Sequence, residues 1–148
     1  MIGLIDYGQS KRLPDPYRAA FARLVVAIAR RDDPAIAAGL DGLGVVTDRD
    51  DVPLKATMAV GMFDTSGRVD PFDPESPIKK MGVSTFPPDM FFVLRVVQLL
   101  RGLGDGMGVA GFSSARQWRP FAEDALRQLK GAPEPGSIEA HSYGLRGE

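Results

Sequence analysis

The sequence predicts a mainly α-helical fold with one short strand near its N-terminus. Two observations carry this prediction. Five segments start at proline or capping signals and then repeat apolar residues every three or four positions, the spacing of one helix face. Residues 2–5 form a short, largely aliphatic run bounded by a turn signal, which is typical of a buried strand.

Composition limits the classes of function. The 148 residues suit one domain, with 44% apolar and 25% charged residues. The formal net charge of −1 gives no overall electrostatic case for nucleic acid or an anionic membrane surface. Cysteine is absent and His141 is the single histidine, which argues against thiolate zinc sites, multi-histidine metal sites and a Ser-His-Asp triad. The sequence has no run of 18 apolar residues, so no membrane span is predicted.

The first predicted helix begins at Pro14–Pro16 and runs to about Arg31. Proline is favoured in a first helical turn, and Arg30 with Arg31 matches the negative end of the helix dipole. Its apolar face comprises Tyr17, Phe21, Leu24, Val25 and Ile28.

Aspartate residues at capping positions predict the starts of two further helices. Asp33 and Pro34 start the second, with Gly44 as its C-terminal cap and an apolar face of Ile36, Leu40 and Leu43. The third is predicted over residues 52–63. The acidic cluster before it, Asp48, Asp50 and Asp51, is interpreted as a cap and solvated turn, since calcium-loop spacing is missing.

The fourth helix, predicted over about 89–103 after an irregular segment 64–88, is the most hydrophobic part of the chain. Apolar residues surround most of its girdle, so we expect several neighbours to bury it as the central helix of the core. Residues 106–111 then match G-x-G-x-x-G, but they follow a helix rather than a strand. We interpret them as a helix terminus and connector.

The last predicted helix is capped by Ser113 and Ser114, with a break near Pro120. Its inner face is predicted to comprise Trp118, Phe121, Ala122, Ala125, Leu126 and Leu129. Residues 131–148 are polar and rich in Gly and Pro, which predicts a disordered tail after a domain spanning 1–130.

The candidate ligand site is Asp6-Tyr7-Gly8, directly after the predicted strand. This triplet has the form of the kinase Asp-Phe-Gly element, whose aspartate is an oxygen ligand for Mg²⁺ at nucleotide phosphates. Asp-x-Gly is also a common turn after a strand, so the triplet alone leaves both interpretations open.

Six segments along the chain carry a family resemblance, and the first contains the triplet: Ile2–Gln9, Tyr17–Phe21, Met62–Thr65, Phe91–Arg101, Phe112–Ser114 and Trp118–Phe121. Together they resemble the aarF/UbiB (ADCK) family of atypical protein-kinase-like proteins, most closely its plant and algal, plastid-associated branch. The resemblance implies the helical C-lobe of a kinase-like fold, with Asp6 as the Mg²⁺ ligand and Tyr7 and Gly8 beside it. It also implies ATP binding and hydrolysis linked to quinone or other isoprenoid-lipid metabolism.

Several elements of that family lie before the Asp-x-Gly motif and are not in this chain. They are the Lys-x-Gly-Gln element, the nucleotide loop, the phosphate-pairing lysine with its glutamate, and the catalytic loop. A single strand also needs pairing partners. We therefore expect an incomplete domain, the C-terminal part of a longer kinase-like protein, that as an isolated chain neither binds ATP tightly nor hydrolyses it.

A second interpretation stays open: a non-catalytic helical interaction module derived from the same lobe. A third is a small helical bundle in which Asp6 only caps a turn. Expected partners are a nucleotide in the parent protein and lipid or quinone-pathway components, with no nucleic acid and no membrane span. The resemblance alone implies a plastid location, with the mitochondrion as the alternative.

Overall fold

The computed structural model describes residues 10–67 and 82–131 of the chain. This part contains five helices and one two-stranded sheet, so the mainly α prediction is confirmed. The elements in order are α1 (Asp15–Arg30), α2 (Asp33–Gly42), β1 (Val46–Thr47), α3 (Val52–Phe63), β2 (Val83–Thr85), α4 (Met90–Gly106) and α5 (Ser114–Gln128). The predicted strand at residues 2–5 and the predicted disorder of the tail from 132 onward lie outside the described residues.

Three helices begin where a side chain replaces a missing backbone partner. Asp32 accepts from the backbone N–H of Ala35 at 3.1 Å and caps α2, one residue before the predicted start. Asp51 accepts from the backbone N–H of Leu54 at 2.9 Å, as the capping interpretation of the acidic cluster predicted for α3. Ser113 caps α5 in the same way. These local signals set the helix starts.

The hydrophobic core lies between α1, α2, α3 and α5. Helix α1 packs against α2 on one side and α5 on the other, and α2 packs against α3. The largest fully buried apolar side chains are Phe63, Leu24, Ile36, Leu40, Leu43, Met58, Met90, Val25, Val45 and Val97. Phe21 of α1 contacts both Phe63 and Trp118 edge to face, at ring-centroid distances of 5.8 and 6.3 Å. Aromatic packing therefore joins α1, α3 and α5.

The two-stranded sheet was not predicted. Strands β1 and β2 pair antiparallel, with Val46 opposite Thr85 and Thr47 opposite Val83. Two and three residues are too few to show the alternation that reveals a strand in a sequence. The pairing brings the segment after α2 beside the segment before α4.

The prediction that the fourth helix is the centre of the core is wrong. Of the residues of α4, only Met90 and Val97 are fully buried. The helix packs against α3 through one side, while exposed apolar residues occupy the other, including Phe92, Val96 and Leu99. The helix therefore has apolar residues on two sides, and the described residues bury only one of them.

Helix α5 also differs from its prediction. It continues through Pro120 without a break, although proline removes one backbone hydrogen bond. Trp118 and Ala122 pack against the core on either side of the proline, which holds the helical path. Phe121, predicted to lie on the inner face, is 75% exposed.

The glycine-rich stretch after α4 is a helix terminus and connector, as predicted. Helix α4 ends at Gly106. Gly108 and Gly111 have φ angles of +67° and +73°, a region that glycine adopts without steric cost. The G-x-G-x-x-G match therefore lies in the connection between two helices.

Candidate functional site

The predicted ligand residues Asp6, Tyr7 and Gly8 lie outside the described residues. The described chain begins at Ser10, and the segment 10–13 contacts the helical core. Lys11 forms an ion pair with Asp89, at the start of α4, and its ammonium lies 5.4 Å from the centroid of the Phe92 ring. Leu13 packs against the core cluster. The chain is thus anchored within five residues of Asp6.

A recess of about 480 Å³ opens where this segment meets α1, α4 and α5. It is lined by Ser10, Lys11, Leu13, Phe21, Phe92, Val93, Val96 and Trp118. Most of these side chains are apolar, and Lys11 supplies a charge at the edge. Such a lining suits an apolar group better than a phosphate.

A buried carboxylate, Asp64, forms the most connected polar centre of the described chain. Asp64 follows α3, and its Oδ1 accepts from Ser113 Oγ at 2.9 Å, Ser114 Oγ at 3.1 Å and the backbone N–H of Ala115 at 2.8 Å. Its Oδ2 accepts from the hydroxyl and backbone N–H of Ser66. The carboxylate therefore lies against the positive end of the α5 dipole.

The protonation of Asp64 follows from these contacts. Burial alone would raise the pKa of Asp64, but hydrogen bonds from Ala115, Ser66, Ser113 and Ser114 lower it below its usual value. The carboxylate is ionised, and five donors occupy its acceptor sites. It has no free lone pair for a substrate proton, so its role is to join α3 to α5.

Arg101 strengthens this junction from α4. Its Nη2 donates to the backbone carbonyls of Gly61 at 2.6 Å and Asp64 at 2.7 Å. These carbonyls lie at the C-terminal end of α3, where a cation complements the helix dipole. Burial lowers the pKa of Arg101, opposed by the charges of Asp64 and Asp105. Three helices thus meet around Asp64.

Sequence reasoning missed this centre because its parts are far apart in the chain. Asp64 and Ser113 are separated by 49 positions. The sequence assigned Ser113 and Ser114 a capping role, which is confirmed for Ser113, whereas the hydroxyl of Ser114 bonds Asp64 and Thr65 instead. The sequence gave no sign that both hydroxyls donate to a distant aspartate. Only the fold brings the two ends together.

A second buried charge, Lys55, is also held by structure. Its Nζ donates to Asp41 at 2.8 and 2.9 Å and to Asp50 at 2.8 Å. Hydrogen bonds to Asp41 and Asp50 raise the pKa of Lys55. Asp50 of the acidic cluster is therefore an ion-pair partner. Across residues 10–67 and 82–131, no three Asp, Glu or His side chains are grouped as metal ligands.

The outer stripe of α4, which we define as Phe92, Val96, Leu99 and Leu103, is an exposed apolar feature of the described chain. Their side chains are 42%, 45%, 63% and 59% exposed. Soluble proteins seldom leave such a contiguous patch uncovered, and patches of this kind mark interaction sites. The sequence signal was the largely apolar circumference of this helix, which predicted several neighbours. It did not show which side the residues in 10–67 and 82–131 leave exposed.

None of the described helices is both long and apolar enough to cross a membrane. Comparison with family models, with curated proteins and with solved structures found no match for this chain.

Proposed function

We propose that this chain is the helical C-lobe of an aarF/UbiB-type kinase-like ATPase that acts in quinone or other isoprenoid-lipid metabolism, in a plastid. The resemblance of six segments supports the assignment. So does the mainly helical architecture that follows the Asp-x-Gly motif. In this proposal Asp6 is the metal ligand, with Tyr7 and Gly8 beside it.

The observation that carries the proposal is the anchoring of the chain directly after the motif. The ion pair of Lys11 with Asp89, its contact with Phe92 and the packing of Leu13 tie residues 11–13 to α4 and the core. A ligand side chain needs its backbone held nearby to keep its geometry. The helical lobe supplies it five residues from Asp6.

The proposed chemistry needs more residues than this chain provides. Bound Mg²⁺ neutralises phosphate charge, and a carboxylate oxygen such as that of Asp6 is a ligand type that it prefers. Phosphoryl transfer also needs positioned groups on the nucleotide and on the acceptor. We therefore expect no tight ATP binding and no hydrolysis by the isolated 148 residues. A magnesium-dependent ATPase activity of the pure chain would contradict this expectation.

The test uses the longest open reading frame that contains this sequence. We expect it to encode the Lys-x-Gly-Gln element and the catalytic loop upstream, and its product to bind and hydrolyse ATP with Mg²⁺. Asp6→Asn should lower the magnesium-dependent turnover at least about 100-fold, the upper range for loss of even an outer-shell partner. The control is Asp15→Asn, at an exposed carboxylate that forms a 3.9 Å ion pair with Arg18. Unchanged turnover in Asp6→Asn would contradict the proposal.

The exposed outer stripe of α4 favours a second candidate function, a non-catalytic helical interaction module derived from the same lobe. The coding sequence discriminates between the two. A start codon at Met1 that follows stop codons in all frames supports the module. A continuous upstream frame bearing the missing lysine and catalytic loop supports the ATPase.

A further inference from the structure

We propose that two copies of this chain pair through the outer stripe of α4, with the two helices antiparallel. The inference deepens the interaction-module candidate by naming its partner. It does not depend on nucleotide chemistry.

The spacing of the outer stripe is that of a helix-pairing seam. Phe92, Val96, Leu99 and Leu103 are separated by four, three and four residues, the alternation of core positions in a two-helix coiled coil. At 100° per residue they fall within an arc of about 60° on the helix surface. A narrow stripe of this kind packs better against the facing stripe of another helix than it does against a broad, flat surface.

The stripe is complementary to itself when one copy is reversed. Phe92 then lies opposite Leu103 of the second copy, and Val96 lies opposite its Leu99. The centre of these residue pairs falls midway between Val96 and Leu99, close to the middle of α4 (Met90–Gly106). The two helices therefore overlap along their whole length. Antiparallel pairing also places opposite ends of the helix dipoles side by side.

The residues that flank the stripe fit the same arrangement. Two charged residues lie beside it. The ammonium of Lys11 is 5.4 Å from the centroid of the Phe92 ring, and Arg95 falls next to Gly102 of the second copy, where its aliphatic stem finds room. A Cβ added at Gly102 or Gly106 would meet nothing within 4 Å. Glycine inside a helix costs about 1 kcal/mol relative to alanine. Contacts within the described chain do not require these glycines, whereas a closely approaching helix uses the space.

The available area is the larger part of what a specific dimer buries. Met107, at the C-terminal end of α4, is 68% exposed and extends the stripe, whereas Phe91 lies outside its arc and packs against Phe86. Large side chains present about 150–250 Å² each, so these five leave roughly 500 Å² of apolar surface exposed. A standard interface buries about 800 Å² per partner, and the stem of Arg95 and the main chain at Gly102 add to the total.

Sedimentation velocity of the complete 148-residue chain tests the pairing. We expect a dimer at about 50 μM, since interfaces near this size reach micromolar affinity or better. Leu99→Glu, at an exposed position in the middle of the seam, should raise the dissociation constant at least about 30-fold, as loss of a hot spot does. The matched control is Phe121→Glu, on the exposed face of α5, which should remain dimeric. Far-ultraviolet circular dichroism checks that both variants stay helical.

Cysteine cross-linking tests the orientation, because the natural chain has no cysteine. A mixture of Phe92→Cys and Leu103→Cys chains should form a mixed disulfide under mild oxidation, since antiparallel pairing places these positions together. Phe92→Cys alone should not cross-link, because its two copies would lie about 16 Å apart along the helix axis. A disulfide needs Cα atoms within about 7 Å.

Four outcomes would overturn the inference. One is a monomeric wild-type chain up to about 100 μM, and another is a dimer that Leu99→Glu leaves intact. The third is a monomer that binds neutral phosphatidylcholine vesicles through Leu99, since lipid would then be the occupant of the stripe. Efficient self-cross-linking of Phe92→Cys would overturn the antiparallel orientation. Each of these leaves the Asp6 proposal standing, and a failed Asp6→Asn test would leave the dimer standing.

Discussion

The backbone N–H of Ala115 donates to the carboxylate of Asp64 at 2.8 Å, across 51 positions of sequence. This bond joins the end of α3 to the first turn of α5. The hydroxyls of Ser113 and Ser114 donate to the same oxygen. A buried charge with this many donors is stable only while the two helix ends stay in register, so the junction makes the packing of α3 and α5 interdependent.

Replacing Asp64 by alanine should lower the free energy of unfolding by about 3 kcal/mol or more. The substitution leaves the buried N–H of Ala115 and the hydroxyls of Ser113 and Ser114 without their acceptor, and each orphaned group costs about 1–3 kcal/mol. Urea titration followed by circular dichroism measures the loss. The control is Asp32→Ala, which removes an exposed helix cap and should cost only about 1 kcal/mol. Equal losses in the two variants would contradict a special role for Asp64.

Asp64 should also make the chain sensitive to acid. Its pKa in the folded chain lies below the usual value of 3.8, so its contribution to stability is complete above that value. The contribution is lost as the pH falls through the folded pKa, because the protonated carboxyl no longer accepts all its bonds. Unfolding free energies measured between pH 6 and about pH 2 should fall less steeply in Asp64→Asn than in the wild type. Parallel curves would contradict the prediction.

Lys55 should make the stability of the chain depend on pH at the alkaline end of the scale. Its pKa is raised above 10.5 by Asp41 and Asp50, so its contribution to stability is complete below that value and is lost as the pH rises through the folded pKa. Lys55→Met keeps the buried stem and should cost about 1 kcal/mol at pH 7, because Asp41 and Asp50 remain accessible to water. Thermal unfolding between pH 8 and about pH 11 compares the two chains. A wild-type curve as flat as that of Lys55→Met would contradict the prediction.

Gly67 should not tolerate a side chain. A Cβ added there would lie 2.8 Å from the carbonyl oxygen of Val60 and 2.9 Å from the Cα of Gly61, both backbone atoms of α3. Gly67→Ala should therefore destabilise the chain by about 1–3 kcal/mol, the usual cost of overpacking. Gly104→Ala is the control, because a Cβ there meets nothing within 4 Å and alanine favours a helix by about 1 kcal/mol. Denaturant midpoints should move in opposite directions, and a shift of the same sign in both would refute the argument.

Local signals predicted the helices well because the groups that set a helix start lie within a few residues of each other. Helix α3 occupies residues 52–63 as predicted, and Asp51 caps it through Leu54 only three positions away. Ser113 gave the start of α5 for the same reason. The β1–β2 pair was missed because strands this short carry no readable period.

The candidate site likewise has a part that local sequence predicted and a part that only the fold shows. Sequence alone placed Asp6, Tyr7 and Gly8 in a motif, and the helical lobe after them, since motif and periodicity are properties of neighbouring residues. The fold decided that Lys11 anchors the chain to Asp89 and that Arg101 reaches the end of α3. These contacts depend on how the helices pack, which no local pattern encodes.

The amino-acid sequence by itself determined that this protein is helical, where most of its helices begin, and that its fourth helix is apolar around most of its circumference. Tertiary structure decided which of those sides is buried: Val97 faces the core, while Leu99, two residues later, is 63% exposed. The physical reason is that hydrophobicity favours burial without specifying a partner. Only the packing of the other helices shows which apolar face has no packing partner among the described residues.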